Sequence, residues 1–322
     1  MAIISLLDLA EADSLSGSEI FPVSQNGTTK RTAISAIGGG IGSITQGIQA
    51  AVLAGSNNKA LTSFGVVVQG QTNCTSSGIH NTILNGKDNC NLSIGYSTII
   101  GGRCHSIKGC NIANQFSTIL NGQNNSLSGG CASLLGGFSN TIDTPFNNNN
   151  IILGGVSNSI TNSNLSTSCN IILNGTNSIC DNMGSVIGAG LLNIIRRSGS
   201  SFIGAGAFNS VLSSSCSFIG TGAGNTITSG ERNIIVGGSS NSILSGSNGG
   251  ILGGLNNALS GNNSFIIGSG IKGYSDCTTF VNKLSATNSI HAGNGFTGSI
   301  SISSTTGDKS IVITDGIITG LS

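Results

Sequence analysis

The sequence predicts an all-β chain, a repetitive β-solenoid or β-roll of about thirteen 16-residue turns. Three regularities predict it. A glycine recurs at 70, 86, 102, 122, 137, 155, 175, 190, 206, 222, 238, 254 and 270, and seven of the twelve intervals are 16 residues. An aliphatic residue stands three places before every one of these glycines, and a second apolar column stands five places after most of them. A period this short is too small for a helix pair but fits one coil made of two short strands.

The column three places before the glycine runs from Val67 to Ile267 and includes Ile83, Ile99, Ile119, Ile152, Ile172, Ile203, Ile219, Ile235 and Ile251. β-Branched side chains suit a position that stacks under its own copy about 4.8 Å away. These nine isoleucines are the predicted core. The second column holds Ile107, Leu127, Ile142, Ile160, Ile195, Val211, Ile227, Ile243 and Leu259, half a period from the first. It is predicted to face the first row across a thin interior.

Asn fills ten of thirteen places three residues after the glycine, among them Asn73, Asn89, Asn209, Asn225 and Asn241. Asn tolerates a left-handed backbone, and stacked amides bond from turn to turn, so the column predicts a structural ladder at a corner.

Two places before the glycine the residues are Val68, Leu84, Ile100, Leu120, Leu135, Leu153, Leu173, Gly188, Gly204, Gly220, Val236, Leu252 and Gly268. Side chains alternate along a strand, so this row faces away from the core, yet nothing in it is polar. A lone solenoid leaves such a stripe in water. Leu84, Ile100, Leu120, Leu135, Leu153, Leu173, Val236 and Leu252 are therefore the expected interface with further copies of the chain, which the four glycines let approach closely.

Composition agrees with a repetitive body. Only 7% of the 322 residues are charged and 4% aromatic, with no Trp and 51 Gly. Periodic aliphatics and a 37% apolar content argue against disorder. A net charge of +1 supplies no field for nucleic acid. No apolar run is long enough to span a membrane, and the start Met1-Ala2-Ile3-Ile4-Ser5 lacks the features of a secretory signal, which predicts a chain made and assembled in a cytoplasm.

The nine Cys form no CxxC pair, and buried thiols are the expectation. Cys74 and Cys90 share a column in adjacent turns at a separation that suits a disulfide. Cys104, His105 and Cys110 suggest a metal only weakly, and His105 more simply takes an Asn place in the ladder. No cofactor or metal site is expected. Within the repeats the acids are Asp88, Asp143, Asp181 and Glu231, no two in one column of neighbouring turns, so the chain is not expected to be an enzyme.

Four regions follow. Residues 1–40 form a separate N-terminal attachment module with the hairpin signal Asn26-Gly27. Residues 41–63 are a linker in which Ser43 caps a short helix spaced by Ile44, Ile48 and Val52. Residues 64–275 are the repeat body, on the order of 60 Å long. Residues 276–322 are a C-terminal β cap with three strands between 299 and 321. The longer intervals after Gly102, Gly137 and Gly155 insert residues on one edge, and Lys108, Gln115, Asp143, Phe146, Asn162 and Asn164 are the candidate recognition loops.

The unit Ser201-Phe202-Ile203-Gly204-Ala205-Gly206-Ala207-Phe208-Asn209-Ser210-Val211 resembles the left-handed β-roll of trimeric autotransporter adhesin heads, which carry a shorter repeat and Ala where this chain has Ile. Residues 12–31, Thr279 to Leu284 and Ile311 to Gly320 are similar to segments of bacteriophage fibre and tail-associated proteins. Together these resemblances imply a parallel homotrimer and a virion fibre or spike. They further imply that residues 1–40 attach to another virion protein and that the roll projects toward a host-surface glycan or protein. The alternatives are a non-viral structural filament or cell-surface adhesin, and a glycan-depolymerising tail spike. Neither nucleic acid nor membrane insertion is expected.

Overall fold

Alternating side chains and one glycine per turn produce a parallel coil with two walls. A computed structural model describes residues 20–25, 28–33, 42–46, 49–108, 116–147, 149–161, 169–176, 179–181, 184–282, 298–304, 307–314 and 317–321. Two fifteen-stranded parallel sheets alternate along the chain, so each turn contributes one strand to each. In one sheet Phe202–Ile203 pairs in register with Phe218–Ile219, and in the other Ser210–Val211 pairs with Thr226–Ile227. Parallel bridges at the corner residue after the glycine, such as Ala207 with Ala223, link the turns between the sheets.

The interior of the described turns is built on two apolar rows flanked by buried polar residues. The nine predicted core isoleucines are fully buried, as are the second-row residues Ile107, Leu127, Ile142, Ile160, Ile195, Val211, Ile227, Ile243 and Leu259. The Asn column is buried beside them. Asn209 Nδ2 donates to the carbonyls of Ala205 and Gly222, at 3.1 and 3.0 Å. Its Oδ1 accepts the backbone N–H of Asn225 at 3.0 Å. Each rung thereby satisfies both amide protons and its oxygen inside the coil. The left-handed residue is not the Asn itself but the one before it, Phe208 at φ 57° in this turn. The glycine three places earlier is also left-handed, Gly206 at φ 103°, and a Cβ there would overlap the Gly222 carbonyl oxygen.

A second polar ladder lies on the opposite edge of the core. Asn81, Ser97, Ser117, Asn150, Asn170, Ser185, Ser201, Ser217, Asn233 and Ser264 are at most 2% exposed. Asn233 Nδ2 donates to the carbonyls of Ser229 and Gly246, and the Gly249 N–H donates to Asn233 Oδ1 at 2.8 Å. The Ser members use one hydroxyl in the same way: the Ser217 N–H donates to Ser201 Oγ at 3.2 Å. The turn is thus two similar half-turns of eight residues, each ending in a glycine-like corner and a buried polar rung.

Four expectations are corrected. Of the cysteines expected to be buried, Cys74, Cys90 and Cys131 are half-buried and Cys104, Cys169, Cys216 and Cys277 are exposed. The helix expected within 41–63 is absent from the described residues: Ile44–Thr45 and Ala51–Val52 are strands of the two sheets, followed by Lys59–Ala60. Ile48 lies outside the described residues. Ile44 faces outward in register with Lys59 and is 41% exposed, whereas Val52 faces the core, so the two do not share a face, and the inward residues eight apart are Val52 and Ala60. Val52, Gly55, Asn58 and Ala60 are one more copy of the repeat. At the other end the coil runs on to Thr279–Val281. There Ile266 pairs with Ile251 and is buried, whereas Ile267 is 47% exposed. Asn257 Nδ2 donates to the Gly268 carbonyl, as Asn241 does to that of Gly254, so Gly268 and not Gly270 continues the glycine column. The turn after Gly254 is shorter than its predecessors, and a one-residue shift exchanges the two sides of a strand.

Away from the coil, Ile20–Gln25 pairs antiparallel with Thr28–Ala33. Residues 283–322 form a separate unit in which Gly298–Ser304, Gly307–Thr314 and Ile317–Leu321 make a three-stranded antiparallel meander.

Candidate functional site

The two outer faces of the coil differ in chemistry. On the sheet whose inner row is Ile83 to Ile266, the outward positions on either side of that row carry Val, Leu, Ile, Phe, Thr, Ser and Gly, with no charged residue. Leu84, Ile100, Leu153, Leu173, Val236 and Leu252 are 38–50% exposed. Leu120 and Leu135, the remaining predicted interface residues, face the same way and are half-buried. The other outward column supplies Ile151 and Ile171, then Phe202, Phe218, Ile234 and Phe265. Summed along the coil, this stripe exposes several hundred square ångströms of apolar surface, the size at which a patch on a single chain marks a contact surface.

Packing within the stripe is compensated where glycine enters it. Phe202 and Phe218 stack with centroids 5.4 Å apart and planes 7° from parallel. Each ring leans over the glycine two places on, where a Cβ would come within 3.3 and 3.2 Å of the ring carbons. Large side chains therefore stand in one outward column where the other has none. The face stays level and continuous while its composition changes from Leu/Thr to Phe/Gly.

The opposite sheet presents hydroxyls and charge. One outward column reads Ser106, Ser126, Thr141, Ser159, Ile179, Ile194, Ser210, Thr226 and Ser242, the other carries Leu92, Leu212 and Leu244 among its polar residues, and the strand residues Lys59, Lys108, Asp143, Arg196 and Lys272 are exposed on this sheet. Charge is a cheap marker of a face that stays wet. Of the two fifteen-stranded sheets, this one alone carries charged residues in its described strands.

Several smaller features line the edges. Phe64, His80, Tyr96 and Phe116 form a stack over four turns, with successive centroids 4.5, 4.8 and 5.4 Å apart. His80 and Tyr96 have both ring faces covered by neighbours, while Phe116 at the end of the stack is 63% exposed. His105 replaces Asn in the ladder: the Asn125 N–H donates to its Nδ1 at 3.3 Å, while its Nε2 has no partner. Burial pushes its pKa below the ordinary value, against the smaller opposing effect of contacts with the backbone at Asn125 and Gly122. Cys74 and Cys90 are register neighbours on the polar sheet. The Cys90 thiol donates to the Cys74 sulfur, and this is the first cause that lowers Cys74 to about 6, with Ser76 and Lys59 adding to it and burial opposing. The same contact, then burial, pushes Cys90 up.

Of the candidate recognition residues, Lys108 is exposed at the end of Ser106–Lys108 and Asp143 is exposed within Thr141–Asn147. Phe146 belongs to the strand Thr141–Asn147, whose last residue pairs with Gly130 after a register shift. Gln115, Asn162, Asn164 and the thiol of Cys110 lie outside the described residues. Glu231 is held by Arg232 at 3.2 Å. Among the described residues no three His, Cys, Asp or Glu side chains cluster to hold a metal ion, and no helix is long and apolar enough to cross a membrane.

No protein-family model matches the chain, and no curated protein matches it.

Proposed function

We propose that this chain is a structural virion appendage, a fibre or spike, in which the apolar sheets of parallel copies pack together as a homotrimer. The observation that carries the reading is the continuous uncharged face from Leu84 to Ile267 set against the charged, hydroxyl-rich opposite sheet. A coil with one greasy side and one wet side needs company on the greasy side only, so the assembly closes with the polar sheets outward. The number three and the parallel arrangement rest on the resemblance of the repeat to trimeric adhesin heads.

The virion assignment rests on the resemblance of residues 12–31 and of the C-terminal segments to phage fibre proteins. In this reading residues 1–40 dock on another virion protein, and the coil, roughly 65 Å of stacked strands, projects toward the host for surface adhesion. The longer turns at Lys108 and Asp143 offer the recognition loops. Immunogold electron microscopy with antibody to this chain, on particles from cells that carry its gene, tests the assignment. Label on particle projections supports it. Label on cell surfaces or free filaments, with bare particles, overturns it in favour of a cellular adhesin or filament.

A further inference from the structure

We propose that Cys74 and Cys90 are a reactive thiol pair that exchanges with small-molecule disulfides and closes into a disulfide joining two adjacent turns. The argument begins with register. Cys74–Thr75 and Cys90–Asn91 are in-register parallel strands, so the two Cα atoms sit one strand spacing apart, about 4.8 Å. That separation lies inside the range a disulfide spans. Both side chains point out of the polar sheet and are half-buried, reachable by a small reagent. The same outward column continues to Lys59 on one side and Ser106 on the other. A cation therefore stands one turn from Cys74 with no carboxylate in the neighbouring rungs of the column.

The thiol–thiolate contact orders the chemistry. The contact lowers Cys74 and raises Cys90, so Cys74 is the thiol of the pair that ionises first. The Cys74 thiolate attacks one sulfur of the small disulfide, forming a mixed disulfide and expelling the other half as a thiolate. The Cys90 thiol then loses its proton to solvent and attacks Cys74 Sγ, expelling the second half. The balance is two protein thiols and one small disulfide giving one protein disulfide and two small thiols. The Cβ atoms of an in-register parallel pair stand slightly farther apart than in relaxed disulfides, so the closed bond is readily reduced again.

Place in the coil gives the pair a consequence. Ala60, Thr75 and Asn91 stand here in the row that most later described turns fill with Ile, Leu or Val, so the interior of these turns is less apolar than that of those turns. Thr75 Oγ1 and Asn81 Oδ1 are buried without hydrogen-bond partners. A covalent tie between adjacent turns holds the part of the stack that packing holds least.

The test uses the folded full-length chain, reduced and then equilibrated with oxidised and reduced glutathione, acid-quenched, alkylated and mapped by mass spectrometry. The expected product is a Cys74–Cys90 linked peptide pair, while Cys104, Cys131, Cys169, Cys216 and Cys277 carry blocked thiols or glutathione. Cys90→Ser accumulates glutathione on Cys74. In wild type, alkylation of Cys74 at neutral pH outpaces that of Cys216 by about tenfold or more. In urea the preference disappears. Absence of the linked pair from the folded wild type, or Cys74 reacting no faster than Cys216, overturns the proposal.

Discussion

The backbone N–H of Asn225 donates to Asn209 Oδ1 at 3.0 Å, one full turn along the chain. Asn225 repeats the act upward, accepting from the Asn241 N–H at 3.1 Å and donating to the carbonyls of Thr221 and Gly238. The ladder therefore does inside the coil what hydrogen bonds between strands do in its walls. Removing the Asn225 side chain leaves the Asn241 N–H of the next turn unpaired and takes a donor from the carbonyls of Thr221 and Gly238.

Asn225→Ala should consequently lower stability by about 2–4 kcal/mol, the cost of several buried polar groups left without partners. Ser210→Ala, on the outer polar face, should change it by less than about 0.5 kcal/mol. Thermal melting with hydrogen exchange resolved by turn checks both. The exchange pattern should show loss of protection centred on the turns of Gly222 and Gly238, because a repeat body couples mainly to its neighbours.

His105 predicts a dependence on pH. Its folded pKa is depressed, mainly by burial, so the folded state holds it neutral while the unfolded chain protonates near 6.5. Stability is then complete above about pH 6.5 and falls as the pH drops from there through the folded pKa. His105→Asn should flatten that acid limb and raise stability at pH 7, because Asn donates twice where His105 Nε2 donates to nothing. Denaturant unfolding between pH 5 and 8 measures both effects.

Two glycines predict opposite outcomes. Gly206→Ala puts a Cβ into the Gly222 carbonyl at a left-handed φ and should cost about 3 kcal/mol or more. Gly154→Ala meets nothing within 4 Å and should be near neutral. Soluble yield and melting temperature of the two variants distinguish them.

Legibility in the sequence followed side-chain contrast. The row Ile83 to Ile251 was readable because an aliphatic residue returns at a fixed place in a chain rich in Ser and Asn. The row Leu84 to Leu252 was readable because nothing polar interrupts it. The ladder through Ser201, Ser217 and Asn233 escaped notice for the converse reason: small polar residues look like solvated surface, and only backbone geometry shows them buried. Its signal was present, since Asn233 and Asn241 stand eight residues apart and occupy equivalent places in the two half-turns. The first turn, around Gly55, and the shortened turn that buries Ile266 were hidden by changes of spacing.

Molar mass in solution by light scattering addresses the central claim most directly. With the apolar sheet buried between copies, the wild-type chain should scatter as a fixed multiple of its 32.0 kDa, three-fold for the trimer. Leu153→Lys, on that face, should break or weaken the assembly, whereas Ser210→Lys on the opposite face should leave it intact. A wild-type chain that stays monodisperse at the single-chain mass over the whole concentration range, with Leu84, Leu153 and Ile234 in water, would contradict the account.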